Sequence, residues 1–146
     1  MSRVFTTIRQ VEFSETDMAG IAHFSNYFKW MEATEHLFLQ QQQIPLIEVQ
    51  NSKTYAWPRI NVSCNYKAPL FLQDKVEIEL VLESISKHKV TYSFKFYRLI
   101  PNSEKIHVAT GEMTTVFAST PPLTRAPIPE AIQKKLNYPE MTSCNS

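Results

Sequence analysis

The sequence predicts an α+β fold in which one long helix packs against a strongly twisted antiparallel sheet of five strands. Three observations predict it. A single segment, Asn26 to Gln43, carries helical periodicity. Three later segments, around Ile60–Lys67, Val76–Glu83 and Val90–Tyr97, alternate with period two. The connections Ile85–Lys89 and Pro101–Lys105 are too short for crossovers, so neighbouring strands run antiparallel.

The first strand is expected over Arg3 to Phe13. In the helix, Tyr27, Trp30, Met31, Thr34, Leu37, Phe38 and Gln41 share one face, while Lys29, Glu32, His36, Gln40 and Gln43 share the other. Ser25 or Asn26 can cap it, without a capping-box partner, and Pro45 stops it. Ile60, Val62, Cys64 and Tyr66 form the apolar face of the second strand. Val76, Ile78, Leu80 and Leu82 do so in the third, and Val90, Tyr92, Phe94 and Phe96 in the fourth. The fifth runs from about Ile106 to Ala118, where Gly111 marks a bulge or a close approach by another backbone. A proline-rich tail, about 121–146, ends in a short helix near Glu130–Leu136, with Pro129 at its start. The whole chain, 1–146, reads as a single domain. One helix against five strands leaves a sheet edge or face in need of cover, which favours a homo-oligomer.

Composition narrows the function. A formal net charge of +1 argues against a nucleic-acid partner. No segment is apolar for long enough to span a bilayer, and Met1 to Gln10 alternates rather than reading as a signal peptide. Two cysteines make no disulfide scaffold, and no His/Cys spacing suggests a metal site. The expectation is a reduced, cytoplasmic protein in which Cys64 is a small buried apolar residue.

The segment richest in chemistry joins the first strand to the helix. Thr16-Asp17-Met18-Ala19-Gly20-Ile21 places a carboxylate and one of only two glycines beside a helix N-terminus. A carboxylate can act as base or nucleophile, and free helix N–H groups can hold an oxyanion. Taken alone, Asp17 also fits a turn aspartate that bonds local backbone.

Thr16–Ile21, Asn26-Tyr27-Phe28-Lys29-Trp30 and Ile60-Asn61-Val62-Ser63-Cys64-Asn65-Tyr66 resemble the hotdog-fold acyl-CoA thioesterases, specifically the 4-hydroxybenzoyl-CoA thioesterase family. The resemblance spans roughly Glu12 to Phe117. It implies a five-stranded sheet wrapped around the helix, sheets paired edge to edge in a dimer, and dimers that often pair again, so that the homo-oligomer is a dimer or a homotetramer. It places active sites at the dimer interface. It also implies Asp17 as the catalytic carboxylate and the Phe24 backbone N–H as the oxyanion donor. Lys87-His88-Lys89 falls where the family has basic residues that touch coenzyme A phosphates, although a solvated turn explains it too.

Around that core, Gly20 allows positive φ or close substrate approach. His23 is a secondary candidate base, with a structural role the commoner one for a lone imidazole among aromatics. Asn26 and Tyr27 either anchor the helix or line an acyl pocket. Trp30 and Met31 read as core, and Glu32 and Glu35 as solvated or ion-paired. Arg59, Lys67 and Arg98 could add to phosphate binding.

The expected reaction is hydrolysis of an acyl or aroyl thioester to free acid and coenzyme A, with no metal and no cofactor beyond the coenzyme A of the substrate. A thiolate leaves readily because thiols have pKa values near ~8.5, so little general-acid help is needed. An acyl-carrier-protein thioester is a close variant. A non-catalytic acyl-CoA-binding module would keep Lys87 and Lys89 without needing Asp17. A hotdog dehydratase would need a helix His–carboxylate pattern that is not found.

Overall fold

The structure, a computed structural model, describes residues 4–139 and 144–145. The Arg3 start of the first strand, the N-terminal residues 1–3 and tail positions 140–143 and 146 lie outside the described residues. The chain forms β1 (Val4–Gln10), α1 (Ser25–Gln41), β2 (Glu48–Gln50), β3 (Lys53–Ala56), β4 (Arg59–Tyr66) and β5 (Lys75–Ile85). Then follow β6 (Lys89–Leu99), β7 (Ile106–Val116), β8 (Ala118–Thr120), β9 (Thr124–Arg125), α2 (Glu130–Asn137) and β10 (Cys144–Asn145).

The main sheet has the order β10-β1-β5-β6-β7-β4. Its five long strands pair antiparallel, and β10 adds a two-residue parallel margin beside Thr7 and Ile8. A second sheet, β2-β3-β8-β9, was not expected from the sequence. Its strands are short and carry little alternation, and Val49 is exposed. The one legible signal was Asn51-Ser52, whose positive φ values of 51° and 64° make the two-residue turn between β2 and β3.

One face of α1 and the concave face of the main sheet make the core. Trp30, Met31 and Phe38 pack against Phe5, Ile78, Leu80, Tyr92, Phe94, Phe96 and Met113. Phe38 meets Phe5 and Tyr92 edge-on at 5.7 and 6.2 Å. Gly111 sits in regular pairing with Phe94 and Cys64, not in a bulge. The close approach comes from a side chain rather than a backbone, because a β-carbon there would lie 2.5 Å from Met31 Sδ.

Three expectations need correction. The first strand stops at Gln10, and Phe13 lies exposed in a 3-10 turn, Phe13–Glu15, closed by the Glu12 N–H on Glu15 Oε1 (2.8 Å). Neither Ser25 nor Asn26 caps α1, since both lie inside it and Phe24 occupies the cap position without a side-chain bond. The helix ends before Pro45 in a Schellman motif, with Ile44 N–H on Leu39 O, Gln43 N–H on Gln40 O and Gln43 left-handed at φ 58°.

The predicted apolar face of β4 is not buried in one chain. Ile60, Val62 and Tyr66 are 52%, 37% and 43% exposed, because β4 ends the sheet and its outer edge is unpaired among the described residues.

Candidate active site

The chain leaves β1 through the 3-10 turn and returns to α1 through a tight loop. Thr16 bridges Ala22, the Asp17 N–H donates to Ile21 O (2.9 Å), and the Gly20 N–H donates to Asp17 O (3.0 Å). Gly20 has φ +83° with open space where a β-carbon would stand, so the dihedral, not crowding, demands glycine. Asp17 Oδ1 accepts the Ala19 N–H at 2.8 Å. Its Oδ2 has no partner among the described residues, and the side chain is exposed to a cavity of about 470 Å³. The turn-aspartate role is therefore present, and it leaves half of the carboxylate free.

That cavity is lined by Asp17, Ile21, Ala22, Phe24, Tyr27 and Tyr66, with Ala68 and Pro69. Its walls are mostly apolar, as suits an acyl or aryl group. The Phe24 backbone N–H has no acceptor among the described residues, while its side chain is 60% exposed rather than packed in the core. Its carbonyl accepts the Tyr66 hydroxyl at 3.0 Å. Burial pushes the Tyr27 and Tyr66 phenols up to about 12, so both remain neutral hydroxyls and neither is a base. Cys64 is half-buried, and burial raises its thiol above the usual range, against a thiolate nucleophile. A roomier groove of about 590 Å³ is lined by Arg9, Glu12, Phe13, Leu72 and neighbours, and neither Asp17 nor the start of α1 is part of its lining.

His23 lies outside the lining of the Asp17 cavity. Its Nδ1 is engaged by the Ser25 hydroxyl (2.8 Å) and the Ser25 N–H (3.3 Å). Asn26 is buried and donates Nδ2 to Glu15 O (2.7 Å) and His23 O (3.2 Å), so it anchors the loop instead of lining the cavity. Tyr27 does both, packing against Trp30, Tyr66 and Phe96 while facing the cavity.

Lys87, His88 and Lys89 form the β5–β6 turn. Both lysines are exposed, whereas His88 is tied down through Nδ1 to Ala126 O at 2.9 Å. This turn and Asp17 stand at opposite ends of β5, because Gln10 pairs with Lys75 at its start. At ~3.3 Å per residue the separation is on the order of 30 Å, so one chain does not bring them together.

A second polar cluster sits farther along α1. Glu35 is 1% exposed and ion-paired with Arg59, which also reaches Glu32 (3.5 Å) and His36 Nε2 (3.2 Å). Burial pushes the Glu35 carboxyl up to about 7 against the opposing pull of Arg59. Glu35, Trp57 and Arg59 line an apolar-walled cavity of about 310 Å³, and Glu35 Oε2, Trp57 Nε1 and Arg59 Nε have no hydrogen-bond partner among the described residues. Arg98 is held by Asp74 at 3.1 Å and Lys67 is exposed. Among the described residues no group of His, Cys, Asp and Glu is placed to hold a metal ion, and no helix is long and apolar enough to cross a membrane.

Comparison with known proteins gives the family. Residues 11–136 match the thioesterase-like superfamily. The chain belongs to that superfamily. A 1,4-dihydroxy-2-naphthoyl-CoA hydrolase of Prochlorococcus marinus (strain NATL2A) is 32% identical, over 88% of this chain and 82% of its own length. A solved gentisyl-coenzyme A thioesterase superposes with a TM-score of 0.72 at 26% identity, covering 90% of this chain and 99% of the other. A 1,4-dihydroxy-2-naphthoyl-CoA thioesterase from Synechocystis shares the fold, with a TM-score of 0.81 at 19% identity over 95% and 99% of the two chains. The protein is thus a hotdog-type thioesterase, a thioester hydrolase as the resemblance implied.

Sequence reasoning passed over two residues at or beside the candidate site. Tyr66 was read as one more apolar position of a strand, yet its hydroxyl spans to the helix start. Glu15 was not singled out, although Asp17 lies two residues beyond it; the acid spacing was the available signal.

Proposed function

We propose that this thioesterase hydrolyses a hydroxylated aroyl-CoA to the free acid and coenzyme A, using Asp17 and the Phe24 N–H. One observation carries the reading: a carboxylate with a free oxygen and a helix-start residue with a free N–H line the same apolar cavity. The thioester oxygen accepts the Phe24 N–H, where the helix N-terminus favours the negative charge that develops. Asp17 then either attacks the carbonyl carbon, giving a mixed anhydride that water opens, or takes a proton from water as it attacks. Both routes consume one water and release carboxylic acid and thiol. No cofactor beyond the substrate's coenzyme A is required. The relatives named for 1,4-dihydroxy-2-naphthoyl-CoA and gentisyl-coenzyme A favour a hydroxylated aromatic acyl group.

The working unit in this reading is a cytoplasmic homodimer, or a tetramer made from it, joined along β4. A two-fold axis pairs the unfilled β4 edges antiparallel, covering Ile60 and Val62. Tyr66 of one chain then approaches the Arg59 end of the other. Arg59 lies at the same end of the sheet as the basic turn, since Arg59 pairs with Thr115 and Lys89 with Val116. The pairing carries the partner's Lys87 and Lys89 toward the Asp17 cavity, where lysines suit the coenzyme A phosphates.

The test is a release assay for free thiol on hydroxylated aroyl-CoA, short and long acyl-CoA, and the matching acyl-carrier-protein thioesters. Fastest turnover on the hydroxylated aroyl-CoA is the expected result. A preference for carrier-protein thioesters would replace the nucleotide reading, and binding without turnover of any thioester would leave an acyl-CoA-binding module.

A further inference from the structure

The bonds that hold Asp17 are internal to the loop tip: its N–H to Ile21 O, and its own oxygens to the Gly20 and Ala19 N–H groups. Met18 is wholly exposed, and Asp17, Ala19 and Gly20 are exposed beside it. Those bonds keep the shape of the tip, and the bonds at the base of the loop seat it relative to the start of α1. Residue 15 holds that base by both its side chain and its backbone. Glu15 Oε2 accepts Trp30 Nε1–H at 2.7 Å, and Oε1 accepts the Glu12 N–H at 2.8 Å. Its carbonyl accepts the His23 N–H at 2.8 Å and Asn26 Nδ2 at 2.7 Å. Trp30 is 1% exposed in the core, and Arg9 stacks over its ring at 5.7 Å while reaching Glu15 Oε2 at 3.8 Å. One acid thus references the loop and the helix start to the same buried indole.

We propose that Glu15 is a positioning residue for the thioesterase reaction, acting on Asp17 through the Trp30 indole; this rests on the assignment of Asp17 as the catalytic carboxylate. Glu15→Gln turns an N–H donor toward the indole N–H or gives up the Glu12 bond, so one of the two tethers is lost. Trp30→Phe keeps most of the ring and removes the same donor. A displacement of about 1 Å at the reacting groups costs roughly 10²-fold.

The experiment compares wild type, Glu15→Gln, Trp30→Phe, the double variant and Asp17→Asn on a hydroxylated aroyl-CoA, with thermal melts of each. Glu15→Gln and Trp30→Phe are each expected to lower kcat by roughly 10- to 100-fold with KM within about twofold, and the double variant to be no slower than the worse single one. Wild-type kcat in folded Glu15→Gln, or losses that multiply in the double variant, would overturn the proposal. If Glu15→Gln does not fold, Trp30→Phe decides alone: a kcat loss supports the proposal and an unchanged kcat overturns it. An active Asp17→Asn would instead overturn the functional reading on which it rests.

Discussion

The Tyr66 hydroxyl donates to the Phe24 carbonyl across 3.0 Å, joining the end of the edge strand to the residue that opens the helix. The bond holds Phe24 in place, the residue whose N–H has no acceptor among the described residues and which lines the same cavity as Asp17. Tyr66→Phe keeps the edge-on ring contact with Tyr27, 4.9 Å between centroids, and removes only the donor. Losing one such bond is worth about 1 kcal/mol, so kcat should fall roughly five- to tenfold in steady-state assays. An unchanged rate would mean that the helix start needs no such support.

Among the described residues Lys87 and Lys89 make no ion pair, whereas Arg59, Arg98 and Lys105 do. Replacing both with Ala should raise KM for coenzyme A esters about tenfold at low salt, leave kcat nearly unchanged, and have less effect as salt screens the phosphates. Equal KM values at every ionic strength would reduce the turn to a hairpin connection.

Glu35 gives the stability a pH dependence of defined sign. Burial raises its carboxyl from 4.5 in the open chain to about 7 in the fold. Between those values the folded state holds the additional proton, so its contribution is complete below the unfolded value and is lost as pH rises through the folded one. The shift corresponds to about 3 kcal/mol as an order of magnitude. Melting temperatures from about pH 5 to about pH 8 should fall for the wild type, with a smaller slope in Glu35→Gln. Identical slopes would show that Glu35 titrates as an open-chain acid.

The exposed face of β4 predicts assembly. Val62→Lys places a charge on this edge strand and should leave the proposed dimer monomeric by light scattering, with activity lost alongside. A monomeric, fully active wild type would contradict the pairing.

Much of this architecture was legible in the sequence because burial wrote it there. Val76, Ile78 and Leu80 alternate since they face α1, and Tyr27, Trp30, Met31 and Phe38 recur at helical spacing since they face the sheet. The second sheet was not legible, because Glu48–Gln50 and Thr124–Arg125 bury too little to impose a period. Composition also hid the helix end, where Gln43 does work usually given to glycine. In the candidate site, Asp17 and Gly20 stood out by residue type and position, and it was the resemblance that singled out Asp17 for catalysis over a turn role. Tyr66 did not, because a period-two pattern records which side of a strand is apolar and not where a hydroxyl reaches. Nor could local sequence tell that Lys87 lies at the far end of β5 from Asp17, since only the strand pairing sets that distance.

The most direct measurement is the turnover of Asp17→Asn on a hydroxylated aroyl-CoA, with circular dichroism and melting compared with wild type. The side chain is exposed and its Oδ1 bond to the Ala19 N–H can be kept by the amide oxygen, so the fold should survive. Loss of kcat by roughly 10²- to 10⁴-fold with a native melt is the expected outcome. Wild-type turnover in the folded variant would contradict the assignment of Asp17 as the group that opens the thioester.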